Sequence, residues 1–186
     1  MSTPWTVETD RVVLDCPPWL RVRQVEYLLP TGQRIKDFWH VDFPDFVMVL
    51  PRTTTGSIVM VEAWRPGLQA SSLWAPGGIV DPGETPLVAA RRELAEETGF
   101  IGGDWKSLGR FAIDANRGCG AMHLFTARDV HSAPFEPDPH EGLRVVETTP
   151  KRIRDGLVGG EFPGLPGAAT IALVLALDPQ ILADPS

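Results

Sequence analysis

Cysteine is scarce: Cys16 and Cys119 are the two in 186 residues. They form no CxxC pair and have no nearby histidine at zinc-ligand spacing, which argues against structural zinc and fits a reduced compartment. Long apolar runs are missing too. The longest, Ala168 to Leu177, falls well short of the roughly 20 residues that cross a bilayer. The opening MSTPWTVETD lacks the basic region and apolar core of a secretory signal, so a cytoplasmic protein with no membrane partner is expected. Positive charge is in deficit, with 17 basic residues against 24 acidic and a formal charge of −7. That excludes nucleic acid held by broad phosphate contact. An anionic small molecule would need a local basic site or a bound cation.

What is present describes a globular chain. Hydrophobic residues make up 43% and charged residues 22%, enough for a real core and too apolar for disorder throughout. Eighteen glycines and 18 prolines favour short elements and many turns over a long helical bundle, so an α/β or α+β domain is expected. Trp19 to Leu29 alternates apolar and polar residues before a turn at Pro30 to Gly32, which predicts a hairpin with QRIKDFWHV. A second hairpin is predicted where two β-branched runs flank Thr53 to Gly56. Further strands are expected at Trp105 to Ile113, Ala121 to Ala127 and LRVVET. Pro86 to Glu97 has the features of a helix: Thr85 as N-cap, Pro86 in the first position and Gly99 for a left-handed end. Leu87, Ala90 and Leu94 fall on one face of it. Thr149 and Pro150 repeat the cap for a helix to about Leu157, and Ala168 to Leu177 predicts a nearly all-apolar helix that should be buried. There is no internal repeat and no linker long enough to separate independent domains.

The chemistry is concentrated in GGIVDPGETPLVAARRELAEETGF, residues 77–100. Glu93, Glu96 and Glu97 stand at i, i+3 and i+4, so three carboxylates leave one helix face. Like charges at that spacing repel, and the negative end of the helix dipole adds to the penalty. Only Arg91 and Arg92 offset them nearby. A solvated acidic surface is one reading. A hard divalent cation, which takes oxygen ligands and often joins carboxylates to substrate phosphates, is the other. Gly77, Gly78, Pro82 and Gly83 make a compact loop before the helix, whose backbone carbonyls can approach a cation. Glu84, eight residues before Arg92, could pair with it.

The segment resembles the Nudix box, G-x5-E-x7-R-E-U-x-E-E-x-G-U with U a bulky apolar residue. Gly78, Glu84, Arg92, Glu93, Leu94, Glu96, Glu97, Gly99 and Phe100 fill every specified position. The resemblance implies an α/β fold, a Nudix-type α/β/α sandwich with a mixed β-sheet, and hydrolysis of a nucleoside diphosphate derivative with Mg²⁺ or Mn²⁺. By that resemblance Glu93, Glu97 and the Gly77 carbonyl are metal ligands, and Glu96 is a ligand or a near neighbour. Arg92 and Glu84 are the pair that orients them.

Outside the box the likeness is one of pattern and points to the ADP-ribose pyrophosphatase branch, over about residues 19–178. It implies an N-terminal β subdomain over 1–45 that mediates homodimerisation, followed by a hydrolase domain over 46–186. The substrate class implied is a nucleoside diphosphate sugar. Glu141 takes the place of a loop glutamate that completes the metal site or activates water, with Glu136, Asp138 and His140 as competitors. Arg65 matches an arginine near the diphosphate, and Phe38 and Trp39 lie in the region that holds the base. Two positions depart from the branch. Trp74 replaces a glutamate just before the box loop and could stack a base, and Asn116 stands where many relatives have proline. GDP-mannose, a dinucleoside polyphosphate or a damaged nucleoside triphosphate therefore stay open as substrates, as does a non-catalytic nucleotide-sugar sensor.

Overall fold

The computed structural model describes residues 3–134 and 142–184. The chain divides into two units, Met1–Asp45 with Phe111–Ala121, and Phe46–Arg110 with Met122–Ser186. In the first, β1 (Thr6–Cys16), β2 (Leu20–Leu28) and β3 (Arg34–Asp42) form an antiparallel meander. The hairpin expected after Trp19 is β2–β3, turning at Gly32, whose φ of 83° suits a residue without Cβ. β1 has no counterpart in the sequence reading. Its TVETDRVVLDC lacks a clean alternation because every residue in it is exposed, and pairing with β2 supplies the order that periodicity does not. Arg23 of β2 ties the three strands, reaching Asp42 at 2.6 Å and Asp10 at 2.5 Å.

In the second unit β4 (Phe46–Thr53) meets β5 (Ile58–Arg65) antiparallel at Arg52 and Ile58. The predicted hairpin is thus real but short. From Phe46 to Ala127 the dominant partnership is parallel, between β4 and β8 (Gly118–Ser132). A strand reading FVMVL, buried on both faces, suits the middle of a sheet better than a hairpin arm. β5 carries β6 (Ala70–Trp74) and β9 (Arg144–Thr148), both antiparallel. β6 also went unforeseen, since ASSLW is short and three of its five residues are serine or alanine. β7 (Phe100–Asp114) and β8 are longer than expected and contribute residues to both units.

Helix α1 (Pro86–Thr98) begins and ends where its caps dictate: Val88 N–H donates to Thr85 Oγ1, and Gly99 adopts φ 71°. Its Ala89, Ala90 and Leu94 are fully buried and join Val47 and Val49 of β4 with Phe125 and Ala127 of β8 in one cluster. Side chains of opposite parity on β8 face α3 (Leu165–Leu177) and its C-terminal end: Thr170 Oγ1 lies 3.8 Å from Met122 Sδ, and Thr126 donates to Asp178 at 2.8 Å. Helices on both faces of a mixed sheet make the α/β/α sandwich.

Burial of α3 is partial, against expectation. Gly167, Thr170, Ile171 and Val174 are buried, while Leu165 and Leu177 are 76% and 45% exposed. A helix laid on one sheet buries one stripe, however apolar its other side. α2 (Pro150–Val158) follows its predicted cap, with Arg152 N–H bonded to Thr149 Oγ1. No helix among the described residues is long and apolar enough to cross a membrane.

One joint fixes the azimuth of α1. Gly99 alone separates it from β7. Thr98 Oγ1 donates to Leu94 O and accepts from Phe100 N–H at 3.1 Å, so the side chain bridges helix end and strand start.

Candidate active site

The acidic face of α1 stands over the segment leading from β6. Two of that segment's carbonyls face β4: Val49 N–H donates to Pro76 O at 2.9 Å and Val47 N–H to Gly78 O at 2.8 Å. Gly77, between them, turns the other way, and its N–H donates to Glu97 Oε2 at 2.8 Å. A side chain at Gly77 would meet fixed backbone, and one at Gly78 would displace the Glu93 carboxylate. A Cβ on Gly77 would lie 3.0 Å from Val47 C and closer still to its oxygen, and one on Gly78 would lie 2.5 Å from Glu93 Cδ.

The turn that follows is Asp81-Pro82-Gly83-Glu84, closed by Glu84 N–H to Asp81 O at 3.0 Å, with Gly83 at φ 86°. Proline then glycine at the two central positions is the type II arrangement. It delivers Glu84 to Arg92, whose Nε and Nη2 reach the two oxygens at 3.1 and 3.0 Å. The same guanidinium donates to Glu93 at 2.7 Å, Glu96 at 3.1 Å and the Ile79 carbonyl at 3.0 Å. Arg92 is therefore the local counter-charge of Glu84, Glu93 and Glu96. Arg91, expected to share that task, instead lies over Trp105, 5.7 Å from its centroid.

The three glutamates are not equivalent. Glu97 is 9% exposed, the Glu93 side chain 14% and that of Glu96 58%. The ion pair with Arg92 holds the Glu84 carboxyl below the usual carboxylate range. A carboxyl depressed in the folded state adds stability above its unfolded pKa, about 4.3 for glutamate, and loses it as pH falls through the folded value. Glu84→Gln should therefore have a lower urea midpoint than the unaltered protein at pH 7 and converge with it in acid. A gap of equal size at pH 7 and pH 3 would contradict the ion-pair account.

Of the other expected site residues, Arg65 and Trp74 meet each other, the Arg65 Cζ standing 4.9 Å from the indole centroid. Phe38 and Trp39 belong to the first unit. Phe38 packs edge-on with Trp5 and Tyr27, and Trp39 is 40% exposed. Asn116 lies in the β7–β8 turn, where its N–H donates to Asp114 Oδ1 at 2.8 Å. Proline, lacking that donor, could not make the bond. Glu141, with Glu136, Asp138 and His140, lies outside the described residues. Sequence reasoning missed the Ile79 carbonyl and the Asp81 N–H that donates to Glu84 Oε2 at 3.2 Å. Backbone groups at unspecified box positions leave no signal in residue identity.

Comparison with known proteins bears on this geometry. The NUDIX domain family model matches residues 43–156. The chain belongs to the Nudix family. Among curated relatives, this Nudix chain is 36% identical over 123 residues to the methanol dehydrogenase activator of Bacillus methanolicus, covering 66% of the chain and 65% of that protein. It is 33% identical over 132 residues to the ADP-ribose pyrophosphatase of Bacillus subtilis, covering 70% of each. In fold it agrees with the crystal structure of an ADP compounds hydrolase at a TM-score of 0.81, over 95% of both chains and with 23% identity. Nudix hydrolases use divalent cations.

The donor set here fits such an ion in kind: carboxylates and a backbone carbonyl, oxygen throughout. Among the described residues no three of histidine, cysteine, aspartate and glutamate converge as a ready-made cage. Glu93 and Glu96 bond Arg92, and Glu97 bonds the Gly77 amide.

Proposed function

We propose that this Nudix protein hydrolyses the diphosphate of a nucleoside diphosphate sugar of the ADP-ribose kind, giving a nucleoside monophosphate and a sugar phosphate. The observation that carries the reading is the buried Glu97 carboxylate set beside the Gly77–Gly78 backbone, with Glu93 over Gly78. Glu93, Glu97 and the Gly77 carbonyl would hold Mg²⁺ or Mn²⁺, with Glu96 at the edge of the set. Such an ion neutralises a diphosphate and lowers the pKa of an attacking water.

The protein's own groups do the rest. Arg92, fixed by Glu84 and Ile79, keeps Glu93 and Glu96 from splaying apart. Arg65 binds a phosphate oxygen pair in the fork geometry of a guanidinium. Glu141 takes the proton of the attacking water, and Phe38 and Trp39 receive the base. The ADP-ribose preference is supported by the name of the Bacillus subtilis relative. Homodimerisation belongs to the same proposal and is supported by the exposed Val7, Val12, Val13 and Leu14 of β1.

The test is a product assay with Mg²⁺ and Mn²⁺ on ADP-ribose, GDP-mannose, a dinucleoside polyphosphate and a nucleoside triphosphate, read by mass. AMP with ribose 5-phosphate is the expected outcome. Pyrophosphate released from a triphosphate, with ADP-ribose untouched, would replace this reading by a housecleaning one.

A further inference from the structure

We infer that Trp74 is a positioning residue for Arg65, holding the face of its guanidinium so that the N–H edge is presented to the substrate's diphosphate. In the β5–β6 ladder Arg65 pairs with Ala70, Ala63 with Ser72, and Val61 with Trp74. Residues two apart on a strand share a face, and so do cross-strand partners. Arg65 and Trp74 therefore rise from the same face, separated by the small Ala63–Ser72 pair. Across that gap the two long side chains meet, at 4.9 Å.

The indole is pinned at both ends. Its Nε1 donates to Ser72 Oγ at 2.6 Å. Its six-membered ring fills the space that a side chain at Gly164 would take, where a Cβ would lie 2.5 Å from Trp74 Cζ2, and it packs at ordinary contact distance beside Gly167, 3.5 Å from Cε3 to the Cβ position. Trp74 also stands three residues before Gly77, which places their Cα atoms at most about 11 Å apart.

What Arg65 lacks is equally telling. Arg92, Arg128, Arg144, Arg152 and Arg154 each meet a carboxylate. Among the described residues Arg65 meets none, and its Nε is buried without a hydrogen-bond partner. A cation held by a ring face keeps its charge uncompensated and its in-plane donors available, the condition for two-point binding of a phosphate. A carboxylate at position 74, which the resemblance led us to expect, would neutralise Arg65 instead.

This inference rests on Arg65 binding the diphosphate. Its test is the affinity of α,β-methylene ADP-ribose by calorimetry in Mg²⁺, together with KM for ADP-ribose. Arg65→Ala should weaken both about tenfold or more, and Trp74→Leu about tenfold, the order of one cation–π contact. The double variant should be no worse than the weaker single, and Trp74→Phe should recover most of the loss. Trp74→Leu binding as tightly as the unaltered protein, or a double variant at the product of the two losses, overturns the positioning role while Arg65 keeps its own. Arg65→Ala without effect, or no binding by the unaltered protein, overturns the underlying reading and this one with it. Should Trp74→Leu lose its cooperative melt, Trp74→Met refills the space without a ring face, and the same criteria apply.

Discussion

Glu97→Gln is expected to lower Mg²⁺-dependent turnover of ADP-ribose by about a hundredfold while leaving the melt intact, as loss of a metal ligand warrants. Glutamine keeps the shape of glutamate, and its carbonyl can still accept from the Gly77 N–H that Glu97 engages at 2.8 Å. What disappears is one negative charge at a 9% exposed position. Because acids four apart on a helix repel, the melting temperature should hold or rise slightly. Glu96→Gln is the control: that side chain is 58% exposed and accepts from Arg92, whereas the Gly77 N–H donates to Glu97, so its loss should stay below about tenfold. Initial rates for both variants, beside their melts, settle the matter. A Glu97→Gln enzyme turning over at near-normal rate would remove Glu97 from the ligand set.

Gly77→Ala is expected to damage stability and activity together. The new methyl would meet the Val47 carbonyl, and Val47 is a fully buried residue of a central strand whose own N–H is committed to Gly78. Neither side can yield cheaply, so overpacking of about 1–3 kcal/mol should result. At about 2–4 °C per kcal/mol for a chain of this size, the melting temperature should fall by several degrees. Any shift of the segment also carries away the partner of Glu97, and turnover should fall more than about tenfold. Gly83→Ala separates the two effects. Nothing lies within 4 Å of its Cβ position, although its φ is 86°. That variant should lose stability to backbone strain of about 1–2 kcal/mol and keep most of its activity. Equal activity losses in the two variants would show that the loop's conformation matters and the close approach at Gly77 does not.

The helix bearing the acids was legible in the sequence because its boundaries are local. Thr85, Pro86 and Gly99 each act on their own neighbours, and the bond from Val88 to Thr85 and the left-handed Gly99 follow directly. The pairing of Glu84 with Arg92 was legible for the same reason, lying within one turn and one helix start. Arg92's bond to the Ile79 carbonyl was not, since every residue carries a carbonyl and only the fold chooses among them. β1 and β6 escaped notice because neither carries an alternating face: one is exposed along its whole length and the other is five residues with two serines. The contact of Trp74 with Gly164 joins positions 90 apart, and no spacing rule reaches that far. The partial exposure of α3 shows the opposite error, an apolar composition read as burial when packing on one layer uses one stripe.

The junction at Thr98-Gly99-Phe100 has a mechanical meaning. A helix advances about 100° per residue, and here a single residue lies between its end and the following strand. There is no slack in which the helix could swivel about its own axis. The compass bearing of Glu93 and Glu97 is therefore set by counting residues from a fixed strand, as a key's teeth are set by their distance from the shoulder, and any adjustment for cargoes of different size must be made by parts of the protein that are not bolted down in this way.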